Sequence, residues 1–581
     1  MSIVCNYPRS LRGPAPPVLL SGHPNVQHPA PANSNAQPNP SPYTASIGQR
    51  FFSRGPATLI RPQSRLRTLI LLGVASCLGM AVLGCGSNPP VSGQVTATAN
   101  PQVASYTVQT DGAANVTIDF GKTTDYGFRT GTYTIPASGG ALSILVAGMQ
   151  ANTAYHMQAV VDFLNGTTLK DVDHSFTTGS YTLSRLPVVT VTSTPGQVPQ
   201  PGIEIVNTPF TGVPIAAVDL SGNVIWAYDP GNRGAAAWLA PKLLPNGDFV
   251  ALASDSSSSV LTTVPAPTDP NLVREFNLAG DTVKQITMNQ LNTRLAAKGY
   301  NLQLLLFTHD ITPLPNGHWL VIANTEKSVV LTGATTPTTV LGDVIVDLDT
   351  SLQPVWVWNE FDHLDVNRHP WNFPDWTHTN AVIYSPDDGN LLVSIRHQNW
   401  IVKIDYQDGA GNGDILWRLG EGGDFKLVGG TDPTDWSYAQ HGIHFASKYT
   451  AGVFPLAVMD NGDDRMYPGD TSATTCGTNG APGCYSTVPI YNIDENAMTA
   501  TIVFHQIMPA NLYNSWGGNA HVLANGDVEY DLCGVGGAVS NSDVLEVTDQ
   551  PSPQTVWSLQ VTGSNAYRAY RLPSLYPGVQ W

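Results

Sequence analysis

The sequence predicts an all-β protein, a six-bladed β-propeller preceded by a small β-sandwich, and three observations predict it. The 581 residues include 54 Gly and 45 Pro, with 42% hydrophobic and only 12% charged residues, a composition suited to many short strands joined by tight turns. From about residue 186 onward one unit recurs six times: a strand ends in an acidic or polar turn and resumes as an apolar-aromatic strand. Between the copies lie Asn-Gly and related turns flanked by apolar runs. Six units of irregular length with this punctuation match the blades of a propeller, whereas one long sandwich would leave the six copies unexplained.

The first 85 residues differ in kind. Their charges are Arg9, Arg12, Arg50, Arg54, Arg61, Arg65 and Arg67, without Lys, Asp or Glu, and residues 13–45 are rich in Pro, Asn, Ser and Ala. Residues 1–60 therefore read as a disordered leader, or as the result of a translation start assigned too far upstream. Residues 61–85 read as a bacterial lipoprotein signal: three arginines, an apolar run from Thr68, and Gly84 before Cys85. Cleavage there would make Cys85 the lipidated first residue. An uncut anchor is the alternative, disfavoured by the short run and the Gly-Ser-Asn-Pro-Pro that follows. Gly86 carries no aspartate-type inner-membrane retention signal, so the expected location is periplasmic, lipid-anchored to the outer membrane.

Residues 86–181 are read as a tether and a sandwich. Segments 105–109 and 115–119 alternate polar and apolar residues as half-buried strands do. The stretches 148–157 and 174–179 resemble a fibronectin type III domain, with Tyr155 placed as a tyrosine corner. Nothing in this unit looks catalytic, and it reads as a spacer or lid.

Residues 182–581 hold the six copies, at 219–226, 276–283, 347–356, 404–417, 493–504 and 547–557. The intervening hairpins are expected at 245–247, 315–317, 388–390, 461–462 and 525–526. Without its leader the chain keeps 20 of its 27 basic residues against 44 acidic ones, a net −24, which excludes nucleic acid as a partner. Cys476 and Cys484 close a loop-like stretch that an oxidising compartment would bridge with a disulfide, and Cys533 is left as a buried thiol.

Three polar clusters carry the chemistry: Phe307-Thr308-His309-Asp310, Trp376-Thr377-His378-Thr379-Asn380 with Arg396, and Gln440-His441-Gly442. Each histidine lies shortly before a predicted strand, and several of those strands begin the same repeating unit, so the side chains are expected to meet on one axis. Converging imidazoles with a guanidinium suit a small oxyanion. His318, His397, His444 and His521 read as structural, and Trp319, Trp358, Trp400 and Trp516 mostly as blade packing.

Together with the terminal Tyr567-Arg568-Ala569-Tyr570-Arg571, these motifs resemble the bacterial arylsulfotransferases that work without a nucleotide sulfate donor, over roughly residues 95–581. The resemblance implies that His441 is the nucleophile that becomes sulfated. It implies that His309, His378, Asn380 and Arg396 hold the transferring group, that phenols and aryl sulfates are the substrates, and that no cofactor or metal is needed. A neutral imidazole is both a nucleophile and a fair leaving group, which suits two-step transfer. Two alternatives stand beside it: a Zn²⁺ or copper site on the three histidines, or a non-enzymatic propeller that binds glycans or proteins. A homodimer is the assembly to test.

Overall fold

In a computed structural model of the chain, the described residues are 91–231, 236–255, 271–447, 450, 452–465, 476, 484–534 and 541–581. They all belong to one compact unit that runs from Gly86 to Trp581. The leader, the signal segment and Cys85 lie outside the described residues.

The N-terminal part is a pair of antiparallel sheets. One contains Ser92–Ala97, Ala104–Thr110 and Gly140–Val146; the other is built on Ala114–Gly121 and Ala154–Phe163. Alternation does the sorting: Ala104, Tyr106 and Val108 are fully buried, with Ser105 and Thr107 between them partly exposed. The Tyr155 hydroxyl accepts from the Gln150 amide five residues upstream at 3.0 Å. The unit is not a loose spacer. Asn100 Nδ2 donates to Ala227 O (2.9 Å), Gln102 Nε2 to Val224 O (2.9 Å) and Tyr576 OH to Leu145 O (2.9 Å), and one apolar core runs through it into the sheets that follow.

Six sheets follow, antiparallel throughout except where Lys426–Val428 runs parallel to Thr499–Ile507 at the edge of the fifth. The first has Val224–Tyr228, Ile215–Asp219 and Ile203–Asn207, completed by the C-terminal Arg568–Leu572. The second to fifth begin with Ala236–Leu243, Leu304–Pro313, Thr379–Ser385 and His441–Phe445. The sixth begins with Ala520–Val522 and ends on Val188–Ser193, which pairs with Thr555–Thr562. Val188–Ser193, which follows the sandwich, and the C-terminal Arg568–Leu572 are thus each stitched into a sheet formed by distant sequence. The leading strands of the second to sixth sheets touch in succession, as do the strands flanking the step from sixth to first and from first to second.

The six expected outer hairpins are all present, and their aromatic residues tie sheet to sheet. Trp226 Nε1 donates to Leu278 O (2.8 Å), Trp358 to Gly413 O (2.8 Å), Trp417 to Glu495 Oε1 (2.8 Å) and Trp557 to Leu220 O (3.1 Å). Each buried indole therefore satisfies its polar N–H on the next sheet's outer turn. Among the described residues one α-helix departs from the all-β expectation, Met288–Ala297, started by a capping box between Thr287 and Gln290 and holding Met288, Leu291 and Leu295 in the core.

A second device ties the leading strands together. Asn207 Oδ1 accepts from Ala240 N, Asn271 Oδ1 from Phe307 N, Asp343 Oδ2 from Thr379 N, Asn399 Oδ1 from Ala439 N and Asn519 Oδ1 from Ala569 N, all at 2.8–3.2 Å. Each is a side chain of one sheet gripping the backbone at or beside the leading strand of the next. Asn461 of the fifth sheet occupies the same place but behaves differently.

Candidate active site

The leading strands are bent where they are gripped. Pairing with their neighbours slips between Leu239 and Lys242, Phe307 and Ile311, Thr379 and Ala381, and His441 and His444. Such bulges re-aim side chains. His309 (φ 56°) and His378 (φ 53°) adopt left-handed backbone, a conformation that costs a β-carbon residue of order 1–3 kcal/mol and persists only where its surroundings impose it. Around His378 those surroundings are the buried pair Asp343 and Glu360. Asp343 Oδ2 takes both Thr377 Oγ1 and Thr379 N at 2.8 Å, while Glu360 accepts from the Thr379 hydroxyl and, at 2.9 Å, from Asp343 N. After His441 the chain needs Gly442, because a Cβ there would lie 2.6 Å from Asn519 Cα.

The geometry brings His309 and His378 into direct contact, Nε2 to Nε2 at 3.0 Å. His378 Nδ1 meets Asp375 Oδ2 at 2.6 Å. His441 Nδ1 meets Asn461 Oδ1 at 2.6 Å, and the Asn461 amide is oriented by donating Nδ2 to Asn514 O (2.8 Å) and Gly517 O (3.1 Å). The Asn461 oxygen is therefore an acceptor, Nδ1 of His441 carries the proton, and Nε2 carries the lone pair. The Tyr567 ring lies between the two groups, its centroid 6.3 Å from both His309 and His441.

Electrostatics keep the nucleophile candidate neutral. Burial, then the charges of Arg396 and Arg568, push the His441 imidazole well below its usual value, with the Asn461 hydrogen bond opposing them. Burial and the neighbouring His378 and Arg568 do the same to His309. Asp375 goes the other way: burial favours its neutral form, but His378 and His397 overcome that and hold the carboxyl below the ordinary range.

Arg396 is buried at 5% exposure and heavily engaged. Nη2 meets Asp463 Oδ2 at 2.6 Å, Nη1 reaches His397 Nε2 at 2.5 Å, and the guanidinium lies 4.7 Å from the Trp371 ring. Tyr513 OH donates to the other Asp463 oxygen. Burial pushes Asp463 up to about 7 against the pull of Arg396 and Tyr513; the 2.6 Å contact with a guanidinium favours the ionised form.

Some expectations need correcting. Asn461-Gly462 is not a hairpin turn: the chain reverses between Phe445 and Val453, and Gly462 is required because a Cβ would come 2.3 Å from Tyr485 O. His397, expected as a structural residue, lies against the site. It bonds Arg396, donates Nδ1 to Asp375 O at 2.8 Å and stacks on Trp371 at 4.4 Å. Asn380 donates its amide to Gln440 O at 2.7 Å, beside His441, so one donor is committed to positioning that segment. Arg568 and Trp371 were not singled out as site residues, although Arg568 lay in plain view in the terminal motif. His318 and His521 are structural, on Asp347 (3.1 Å) and Glu529 (2.6 Å). Cys476 and Cys484 are disulfide-bonded, and Cys533 is a buried thiol.

With this geometry in view, the profile of the Arylsulfotransferase (ASST) family matches residues 167–571, most of the chain. The chain belongs to the arylsulfotransferase family. Membership makes it a sulfotransferase and puts His309, His378, Arg396, His441 and the Tyr567–Arg571 motif inside the matched region. No curated protein matches the chain. Among solved structures, dihydro-heme d1 dehydrogenase NirN is similar at 14% identity and TM-score 0.30, over 67% of this chain and 78% of that one. A polysaccharide lyase of the ulvan lyase family PL25 is similar at 10% identity and TM-score 0.27, over 65% and 86%. Likenesses this weak say nothing about chemistry, which for an arylsulfotransferase must come from the site itself.

Proposed function

We propose that this protein transfers a sulfuryl group from an aryl sulfate to a phenol in two steps, through a sulfohistidine at Nε2 of His441. The observation that carries the reading is the Asn461 hydrogen bond, which fixes the tautomer and leaves a neutral lone pair in a buried site. In the first step His441 Nε2 bonds to sulfur as the bond from sulfur to the aryl oxygen breaks, and the departing phenolate takes a proton. In the second a phenol loses its proton, attacks sulfur and frees the imidazole.

The proton is handled by the facing imidazoles. His378, backed by Asp375 at 2.6 Å, is the acid and base, and His309, 3.0 Å away, takes up the other end of the shared N–H. Arg396 lies across the site to offset charge on the sulfuryl oxygens, and Asn380 sets the His441 segment.

The same reading covers the frame. The six sheets, their consecutive leading strands and the pairing of Val188–Ser193 and Arg568–Leu572 with distant strands support a six-bladed propeller with the site on its axis. The Tyr155–Gln150 hydrogen bond supports a fibronectin type III-like sandwich. Residues 61–85 are taken as a lipoprotein signal and Cys85 as the lipid attachment point, holding the enzyme at the periplasmic face of the outer membrane.

A second reading, a metal centre, draws on Asp375, His378 and His397, whose ligand atoms all lie within 4.8 Å of one another. Both His397 nitrogens are already engaged, one by a guanidinium, which disfavours a cation there. Metal analysis of purified protein separates the two readings.

The test of function is steady-state kinetics with a chromogenic aryl sulfate and a phenol acceptor. Parallel double-reciprocal lines are expected. Intersecting lines, or no turnover, contradict the two-step transfer.

A further inference from the structure

Among the described residues four arginines are buried: Arg396, Arg465, Arg568 and Arg571. Three of them sit against carboxylates. Arg396 has Asp463, Arg465 has Asp460, and Arg571 has Glu204, Glu529 and Glu546. Arg568 is the exception. Its guanidinium donates to Gly518 O, Tyr567 O, Asn380 O and the Tyr567 hydroxyl, all neutral acceptors. Among the described residues no carboxylate lies within 4.0 Å of it. Asp531, whose charge it feels, is fully buried with both oxygens unpartnered and makes no hydrogen bond or ion pair with it.

A buried guanidinium without a counter-ion is unfavourable by itself, and its position suggests what balances it. Arg568 Nη2 donates to Tyr567 OH at 3.2 Å. The Tyr567 ring flanks both the His441 nucleophile and His309. Having accepted from Arg568, the phenol keeps its own O–H, which has no acceptor among the described residues. Arg568 reaches Asn380 O as well, so it sits where three leading strands meet: its own, that of Asn380 and the one that follows Gly518.

We propose that Arg568 and Tyr567 form a second anion clamp, in which the Tyr567 hydroxyl, polarised by Arg568, donates to an oxygen of the sulfuryl group. This inference rests on the sulfotransfer reading and deepens it. An aryl sulfate monoester carries one negative charge, and among the described residues Arg568 is the buried arginine that no carboxylate touches. Arg396, tied to Asp463, is then chiefly a donor of directed hydrogen bonds, and Arg568 supplies the net field.

The test uses the full chain and inorganic sulfate as a competitive inhibitor of aryl sulfate turnover. Arg568→Gln is expected to raise the sulfate inhibition constant by about 10-fold or more, the loss of one charged hydrogen bond. Arg568→Lys, which keeps the charge, is expected to recover part of that affinity. Tyr567→Phe should weaken sulfate while leaving KM for the phenol acceptor unchanged, a split that a purely structural role would not produce. Wild-type sulfate inhibition in Arg568→Gln overturns the proposal. If that variant does not fold, Tyr567→Phe decides, and an unchanged inhibition constant there overturns the clamp. A wild-type enzyme without a covalent intermediate defeats the two-step reading instead, so the two ideas fail separately.

Discussion

Nδ1 of His441 donates a 2.6 Å hydrogen bond to Oδ1 of Asn461, and that bond decides which ring nitrogen can react. Corresponding side chains of four other sheets, Asn207, Asn271, Asp343 and Asn399, accept from backbone amides instead. At the fifth sheet the fold has turned the same structural device toward an imidazole. The residue that orients the nucleophile is thus part of the framework.

Replacing Asn461 tests this directly. Asn461→Leu keeps the volume but removes the acceptor, so the imidazole loses its preferred tautomer. The first-step rate, followed as phenol release in a stopped-flow burst, is expected to fall by about 10²-fold or more. Thermal melts check that losing the bonds to Asn514 and Gly517 has not unfolded the protein.

Asp375 backs His378, and its removal should show in the leaving group. Asp375→Asn is expected to slow transfer from aryl sulfates of weakly acidic phenols by roughly 10²-fold, the scale of general acid catalysis, with little effect on nitrophenyl sulfate. A Brønsted plot of rate against leaving-group acidity measures it. The variant's slope should be steeper.

The pH dependence has a definite sign. A protonated imidazole cannot attack sulfur, and burial with Arg396 and Arg568 nearby pushes the His441 value well below the ordinary 6.5. The first-step rate should therefore hold level as pH falls from 7.5 through 6.5 and decline only below that. A midpoint at or above 6.5 contradicts the electrostatics described for the site.

The disulfide reaches the site through packing. Cys476 and Cys484 pack on Tyr513, whose hydroxyl bonds Asp463, which in turn holds Arg396. Cys476→Ser with Cys484→Ser is expected to lower stability by about 2–3 kcal/mol, read from denaturant midpoints. It should also reduce kcat more than KM, as Arg396 loses its support.

What was legible in the sequence follows from range. Pro245-Asn246-Gly247 and Pro315-Asn316-Gly317 announce turns by local backbone chemistry, and both are hairpin turns. Asn461-Gly462 carries the same signature, yet its glycine answers a close approach by Tyr485 and its asparagine answers His441, twenty residues away. No local pattern encodes either. His397 was hidden beside Arg396, and Asp375 because its approach to His378 depends on the left-handed backbone at His378. The helix Met288–Ala297 did have a readable signal, the Thr287-x-x-Gln290 box, just past the 276–283 copy. Arg568 could be seen, but its meaning depends on the carboxylate it lacks.

The central claim is the covalent step. Wild-type protein incubated with an aryl sulfate in the absence of acceptor, quenched and digested, should yield the His441 peptide bearing one sulfuryl group, in amount equal to the phenol released in the burst. Added phenol should discharge it. A modified peptide elsewhere, or a burst retained in His441→Ala, would contradict the account.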